Sequence, residues 1–247
     1  MIRQEINIDD RIRGLMNIAT DMEKIKEIAK GFLHIRIRET ELSPMIVSHP
    51  FFQSGYLAGQ DKKIINILED KEGYAYILRQ YERLIDLQES YIRFAVIITK
   101  PYRLLFYKMT KEYASEMDAG KFLRYAWQHT EGANAAVNMT LAEMRKWFKE
   151  IRPEYLMTDE EREQLDTLPE TITIYRGLSD KQAKIKALSW TLSIRTARWF
   201  ADREQRSEGV YRAEIEKKFI LAYFDDNDEQ EIICDYSKLR NIRKIEA

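Results

Sequence analysis

The spacing of apolar residues changes once along this chain. Up to Leu168, apolar residues recur every three or four positions, which predicts helices with one apolar stripe. After Pro169, apolar and polar residues alternate, which predicts strands with one buried face. The segments between these strands are too short for repeated strand–helix–strand crossovers, so a mixed, mostly antiparallel sheet is expected. The pattern predicts an α+β protein: a helical N-terminal region, then a β domain with flanking helices.

Prolines and capping residues set the predicted helix boundaries. Pro44 and Pro50 end the first helical pattern, because the residue before a proline is disfavoured in a helix. The stretch around Gly55 and Gly59 is expected to be irregular or to hold short helices. Predicted helices cover about 9–38, 74–99, 102–120, 122–130 and 140–151, with capping boxes at Thr140–Glu143 and Thr158–Glu161.

The alternating part of the chain holds the predicted sheet. Ser179 and Ser193 are placed to cap short helices between strands. No linker rich in glycine, serine or proline separates the helical and sheet parts, so the helices from about Gly120 to Leu168 are expected to flank the sheet as part of its domain. The predicted boundary therefore divides a helical region, 1–118, from a β domain, 119–247. Predicted strands cover 171–176, 187–192, 209–215, 219–224, 229–236 and 241–245.

Composition excludes several classes of protein. The 247 residues carry a net charge of −1, so no overall positive field favours nucleic acid. The single cysteine, Cys234, excludes an internal disulfide and is expected to be a buried thiol. The three histidines are scattered, so no metal site is predicted. Without an apolar signal core or a membrane-length apolar run, we expect no membrane contact and a cytoplasmic location, in a bacterial or a host cell.

Three predicted strands carry polar residues on otherwise apolar faces. Arg176 lies on a face that otherwise carries isoleucines. Ser189 and Thr191 share a face of a second strand. Glu229 and Glu231 share a face of a third, with Cα atoms about 7 Å apart. A cation, a hydroxyl pair and a carboxylate pair are therefore predicted at strand edges of one sheet.

These polar residues belong to three short motifs. The order of the motifs resembles the Arg–Ser–Glu class of ADP-ribosyltransferases, which includes phage enzymes and bacterial toxins. The resemblance covers about Thr158 to Ala247. It departs from the family at the middle motif, where Ser-Thr-Ser is common. The motifs here are Tyr175-Arg176-Gly177, Leu188-Ser189-Trp190-Thr191 with Ala197-Arg198-Trp199-Phe200-Ala201, and Asp228-Glu229-Gln230-Glu231-Ile232-Ile233.

The resemblance implies an NAD-dependent mono-ADP-ribosyltransferase without a metal. Such an enzyme breaks the bond between nicotinamide and ribose and transfers ADP-ribose to a macromolecular acceptor. By resemblance, Arg176 anchors phosphate and ribose, Ser189 orients the carboxylate, and Glu231 is the catalytic carboxylate. Glu229 would deprotonate or orient the acceptor, which the Glu-x-Glu spacing suggests is arginine in a protein rather than nucleic acid.

The resemblance also places other residues beside NAD. An aromatic ring is expected to stack on nicotinamide, with Tyr175, Phe200 and Tyr211 as candidates. Trp190 faces the other side of its strand and is expected in the core. The residues expected to contact NAD in addition to Arg176 and Ser189 are Tyr175, Gly177, Thr191 and Phe200.

The same residues allow other interpretations. Arg176 and Glu231 can form an ordinary salt bridge, and Ser189 can lack a role. An NAD glycohydrolase would use this site with water as the acceptor. Nucleic acid is an alternative acceptor, since Lys100-Pro101-Tyr102-Arg103 and Arg124-Tyr125 combine basic and aromatic side chains. A non-catalytic helical interaction protein is a further alternative. In every case the N-terminal helices can recognise a target or bind an inhibitor such as an antitoxin.

Overall fold

The chain forms two compact units, residues 1–131 and 132–247. A computed structural model describes residues 19–41, 43–130, 133–135, 139–179, 184–203 and 208–245. The boundary predicted at 118/119 falls inside a helix, Glu116–Gln128. That helix belongs to the first unit, because Phe122 stacks on Tyr91 with ring centroids 4.4 Å apart and on Tyr107 at 6.0 Å.

The first unit packs its helices around aromatic residues. Phe94 and Phe106 are fully buried in this core. The helix predicted over 74–99 is divided before Tyr91, and Ser115 begins a new helix within the one predicted over 102–120. Residues 9–18 of the first predicted helix lie outside the described residues. The described helices of this unit are α1 (Met22–Leu33), α2 (Lys71–Asp86), α3 (Tyr91–Ile97), α4 (Arg103–Thr110) and α5 (Glu116–Gln128).

Four short strands also lie in the first unit. They form two antiparallel two-stranded sheets, β1 with β2 and β3 with β4. The stretch around Gly55 and Gly59, predicted to be irregular or to hold short helices, contains a 3₁₀ turn at Gln60–Lys62. This turn lies between β3 and β4, two three-residue strands that are too short to show alternation. The four strands are β1 (Arg38–Thr40), β2 (Ser43–Ser48), β3 (Tyr56–Ala58) and β4 (Ile64–Asn66).

The second unit begins with helices whose starts the sequence predicts. Both predicted capping boxes are present, at Thr140 with Glu143 and at Thr158 with Glu161. Ser193 accepts a hydrogen bond from the Thr196 amide and caps a later helix, as predicted. The helix predicted after Ser179 falls on residues outside the described ones. The described helices are α6 (Leu141–Glu150), α7 (Pro153–Leu156), α8 (Asp159–Thr167) and α9 (Ile194–Asp202).

A six-stranded sheet is the core of the second unit, and the α+β class is confirmed. Every described pairing within it is antiparallel. The strand order is β10-β7-β5-β6-β9-β8, so β5, β6 and β9 are neighbours. The strands are β5 (Thr171–Leu178), β6 (Ser189–Thr191), β7 (Gly209–Glu216), β8 (Ile220–Phe224), β9 (Glu231–Cys234) and β10 (Arg240–Ile245).

Two core residues of this sheet follow the sequence prediction. Trp190 is 2% exposed, and its indole Nε1 donates to the Ala187 carbonyl at 3.0 Å. Cys234 is fully buried, and burial raises the pKa of its thiol. Within the described parts of both units, no helix has the length and apolar character needed to cross a bilayer.

Candidate active site

Ser189 is the first residue of β6, and Glu231 is the first residue of the neighbouring strand β9. Thr191 of β6 pairs with Glu231 of β9, so alternation puts Ser189 and Glu231 on one face. The Ser189 hydroxyl donates to Glu231 Oε1 at 2.5 Å. Both side chains are half-buried. The hydroxyl thus fixes the orientation of a carboxylate that solvent still reaches.

Arg176 reaches the same place from β5. Its Nη1 donates to the Ser189 carbonyl at 2.6 Å, and its Nε donates to the Lys184 carbonyl at 3.3 Å. Burial lowers the pKa of Arg176 from 12.5 to about 10, and the negative charge of Glu231 opposes this shift. The guanidinium is therefore a cation at neutral pH. It supports the backbone that carries Ser189, a role the sequence did not suggest.

The pairing of β5 with β6 determines from which face of the sheet Arg176 projects. Tyr175 pairs with Thr191, so the Tyr175 side chain lies on the same face of the sheet as Thr191. By alternation, the Arg176 side chain leaves β5 on the opposite face. The arginine side chain is long enough to return its guanidinium to the β6 backbone. Arg176 pairs with Tyr211 of β7, which makes Tyr211 its cross-strand neighbour.

Asn134 completes the support of Ser189. Its side-chain oxygen accepts hydrogen bonds from the Leu188 amide at 3.0 Å and the Ser189 amide at 3.4 Å. Sequence reasoning missed this residue, which lies in a short 3₁₀ turn, Ala133–Ala135. No local pattern marks such a contact, because it joins segments far apart in the sequence.

Thr191 links three parts of the site. Its hydroxyl donates to the Glu229 carbonyl at 2.7 Å and accepts from the Ser193 amide at 3.0 Å. Thr191 is only 6% exposed. The structure therefore places it as a connector between β6, the loop before β9 and the start of α9. A contact with NAD remains a prediction.

Glu229 does not lie on a strand, and the prediction that it shares a strand face with Glu231 is wrong. Strand β9 begins at Glu231. Glu229 is in the helical region of backbone space, and Gln230 is left-handed with φ 49°. Burial raises the pKa of Glu229, the negative charge of Asp226 raises it further, and Arg203 opposes both. Glu229 is a half-buried carboxyl on the loop that leads to Glu231.

Two residues of the Tyr175-Arg176-Gly177 motif, Tyr175 and Gly177, have a structural role. A Cβ on Gly177 would lie 1.9 Å from the Ala197 carbonyl oxygen, so only glycine lets α9 approach β5 this closely. Tyr175 packs against the buried cluster of Ala197, Ala201 and Val210. Both residues therefore position α9. Their predicted contacts with NAD are not needed to explain these residues.

Phe200, the remaining aromatic of the predicted NAD site, lies on α9. It is half-buried and makes an edge contact with Trp199, with ring centroids 4.9 Å apart and planes at 79°. Of the three candidates for stacking on nicotinamide, Tyr175 packs under α9 and Tyr211 lies beside Arg176. Stacking of one of these three rings on nicotinamide stays a prediction.

One arginine of the predicted basic and aromatic cluster of the first unit, Arg103, is not available to phosphate. Arg103 is 8% exposed, and its guanidinium donates to the carbonyls of Ile98 and His129 at 3.1 and 3.0 Å. It also lies over the Tyr125 ring, 5.3 Å from the centroid. Arg103 therefore has a structural role, because a buried arginine that is hydrogen-bonded to main-chain carbonyls stabilises the packing around it.

A second carboxylate lies directly after β9. Asp235 is 2% exposed and accepts from Arg145 at 2.9 Å and from Lys149 at 2.5 Å. The Ser237 hydroxyl also donates to it, at 2.6 Å. Burial alone would raise the pKa of Asp235, but the hydrogen bonds from Lys149, Ser237 and Arg145 outweigh it and lower the pKa.

Comparison with known proteins gives no match: no family model, curated protein or solved structure matches this chain. Among the described residues, no group of three or more histidine, cysteine or acidic side chains is arranged to hold a metal ion. The function is therefore inferred from the side chains around Ser189.

Proposed function

We propose that this protein is an NAD-dependent mono-ADP-ribosyltransferase with its site on β5, β6 and β9. One observation carries the proposal: a guanidinium, a hydroxyl and a carboxylate from three neighbouring strands converge at Ser189. The Ser189 hydroxyl holds Glu231 at 2.5 Å, and Arg176 holds the Ser189 carbonyl at 2.6 Å. This arrangement supports the proposal because the reaction needs a cation for phosphate and an oriented carboxylate for a positively charged ribose.

The reaction breaks the bond between the ribose C1′ and the nicotinamide nitrogen. Nicotinamide leaves with the bonding electrons, and the ribose carries positive charge in the transition state. Glu231, oriented by Ser189, stabilises that charge and accepts a hydrogen bond from a ribose hydroxyl. The acceptor nucleophile then forms the new bond to C1′ and loses a proton. Arg176 offers five N–H donors, of which some already bind main-chain carbonyls, so phosphate binding would share this cation.

Glu229 is the best placed group to assist the acceptor. Its pKa is raised by burial and by Asp226, so the carboxylate is a better base than an ordinary surface glutamate. Asp228 lies in the same loop, which makes the approach to C1′ acidic. A cationic acceptor group is attracted there and becomes a nucleophile when Glu229 takes its proton, so we place an arginine of a protein first among the acceptors.

Incubation with labelled NAD and a cell lysate tests the proposal. We expect the wild-type protein to transfer label to a macromolecule and Glu231→Gln to lose at least about 100-fold of the rate, as removal of a preorganised electrostatic contact does. Glu163→Gln is the matched control, because Glu163 is an exposed glutamate of α8. It should label like the wild type.

The products distinguish the alternatives. Label that resists nuclease and falls on arginine, seen by mass spectrometry, agrees with the proposal in full. Nicotinamide release without labelled acceptor would indicate an NAD glycohydrolase. Equal labelling by the wild type and Glu231→Gln would refute the assignment of Glu231. Absence of NAD binding in calorimetry would leave an interaction protein.

A further inference from the structure

The outward side of α9 carries an exposed tryptophan. Trp199 is 57% exposed, and in the described part of this unit it is the one large apolar side chain that is exposed. Arg195, four positions before the tryptophan, is its neighbour on the helix surface, and Arg198, directly before the tryptophan, lies beside them; both arginines are exposed. Ala197 and Ala201 are buried on the opposite side. This set of Trp199, Arg195 and Arg198 is called the α9 face below.

The cations of the α9 face are available. Neither Arg195 nor Arg198 forms an ion pair or a hydrogen bond with another side chain within the described residues. The exposed Asp202, one turn on, reduces the local charge without cancelling it. Packing does not explain the tryptophan either, since the other three tryptophans, Trp127, Trp147 and Trp190, are at most 4% exposed.

The ring of Trp199 is held in place. Its edge contact with Phe200, at 79° between the planes, restricts the indole without covering it. Gly177 lets α9 pack tightly on β5, so the helix beneath the ring is fixed. The result is an exposed aromatic platform flanked by two guanidinium groups.

We propose that the α9 face binds single-stranded nucleic acid. A base stacks on Trp199, and Arg195 and Arg198 contact the flanking phosphates. Such sites combine an aromatic platform with cations and need little apolar area. An acidic protein partner fits less well, because protein interfaces need a larger apolar core than one tryptophan supplies. The other large apolar side chains that are exposed in the described parts of the chain lie in the first unit.

This binding is independent of the proposed transferase activity and of the acceptor atom. Glu231→Gln should bind nucleic acid like the wild type. Loss of either property without the other therefore separates the two proposals. The face begins directly after the site, because Ser193 caps α9 and bonds to Thr191.

Fluorescence anisotropy with short labelled oligo-dT and oligo-rU tests the inference. Trp199→Ala should weaken binding about 5- to 150-fold, the effect of losing one stacked base. Trp199→Phe should recover part of the affinity. Arg195→Ala with Arg198→Ala should lower the slope of log affinity against log salt by about 1.4, since each phosphate contact contributes about 0.7.

The matched controls change one exposed apolar side chain and two exposed arginines in the first unit. Leu87→Ala truncates a side chain that is 74% exposed in the first unit. Arg79→Ala with Arg83→Ala removes two exposed arginines of α2. Both controls should bind like the wild type, and circular dichroism should be unchanged in all variants.

Several outcomes would overturn the inference. They are wild-type affinity in Trp199→Ala, equal loss in the Arg79 and Arg83 control, equal binding of duplex, or displacement of the oligonucleotide by polyglutamate as effectively as by oligo-rU. Preference for oligo-dT or for oligo-rU supports it in either case and identifies DNA or RNA as the source of the strand.

Discussion

The two ends of β9 carry carboxylates in opposite situations. At the start, Glu231 is half-buried and accepts the Ser189 hydroxyl. Directly after the end, Asp235 is 2% exposed and is bonded by Arg145 and Lys149. Asp235 is neutralised by cations in contact with it, whereas the Arg176 guanidinium bonds main-chain carbonyls beside Glu231. A carboxylate neutralised in place stabilises the fold. One that is oriented by a hydroxyl can still respond to a new positive charge.

The largest expected effect tests the structural side of this comparison. Asp235→Asn should lower the free energy of unfolding by about 3 kcal/mol, because it leaves two cations without their counterion. The lower end of the usual range applies, since Arg145 and Lys149 are 28% and 46% exposed. Urea unfolding followed by tryptophan fluorescence measures it. Glu231→Gln should change the same quantity by about 1 kcal/mol or less, because the glutamine oxygen can still accept the Ser189 hydroxyl. Equal destabilisation by both variants would remove the distinction.

The next effect concerns the glycine beside the site. Gly177→Ala should destabilise the protein by about 1–3 kcal/mol, because its Cβ overlaps the backbone of α9. Gly31→Ala is the control, since a Cβ at Gly31 meets nothing within 4 Å. That change in α1 should stabilise by about 0.5–1 kcal/mol. Thermal unfolding compares the two. A neutral Gly177→Ala would mean that α9 can move, and would return Gly177 to the residues predicted to contact NAD.

The sequence predicts the sheet better than its loops. Strands β5 to β10 form where the alternating part of the sequence predicts them, and the side chains of Arg176, Ser189 and Glu231 come together as the motifs suggest. Glu229 was misplaced because Gln230 takes a left-handed conformation, which nothing in a glutamine signals.

Contacts across long distances in sequence were also beyond prediction. Asn134 and Ser189 meet only after folding, and no sequence pattern shows that Arg103 is buried. From sequence, a charged side chain is expected to be exposed, because it is buried only when it has hydrogen-bond partners, and these are not known before folding. The spacing of apolar residues predicts on which face of an element a residue lies, whereas the contacts that it makes after folding determine its role.

A smaller effect compares the two serines that hold the carboxylates. Ser189→Ala should lower kcat of the proposed transfer about 10- to 100-fold, the worth of one hydrogen bond to a charged group. Ser237→Ala should leave the activity unchanged and cost about 1 kcal/mol of stability, because Ser237 is exposed. Steady-state kinetics with labelled NAD and urea unfolding of both variants give the result. Activity loss in Ser237→Ala would show that the two ends of β9 are coupled.

The smallest effect is a pH dependence that belongs to Asp235 alone. Its pKa in the folded protein is below the ordinary value of 3.8. The ionised group therefore stabilises the fold above pH 3.8, and this contribution is lost as the pH falls further towards the folded pKa. The difference in unfolding free energy between wild type and Asp235→Asn should be constant between about pH 7 and 5 and shrink below about pH 4. Taking the difference cancels His49, whose burial lowers its pKa to about 4 in both proteins. A difference that grows as the pH falls from about 7 to 5 would mean that Asp235 is not held by its cations, since a carboxyl with a raised pKa stabilises the fold as it is protonated there.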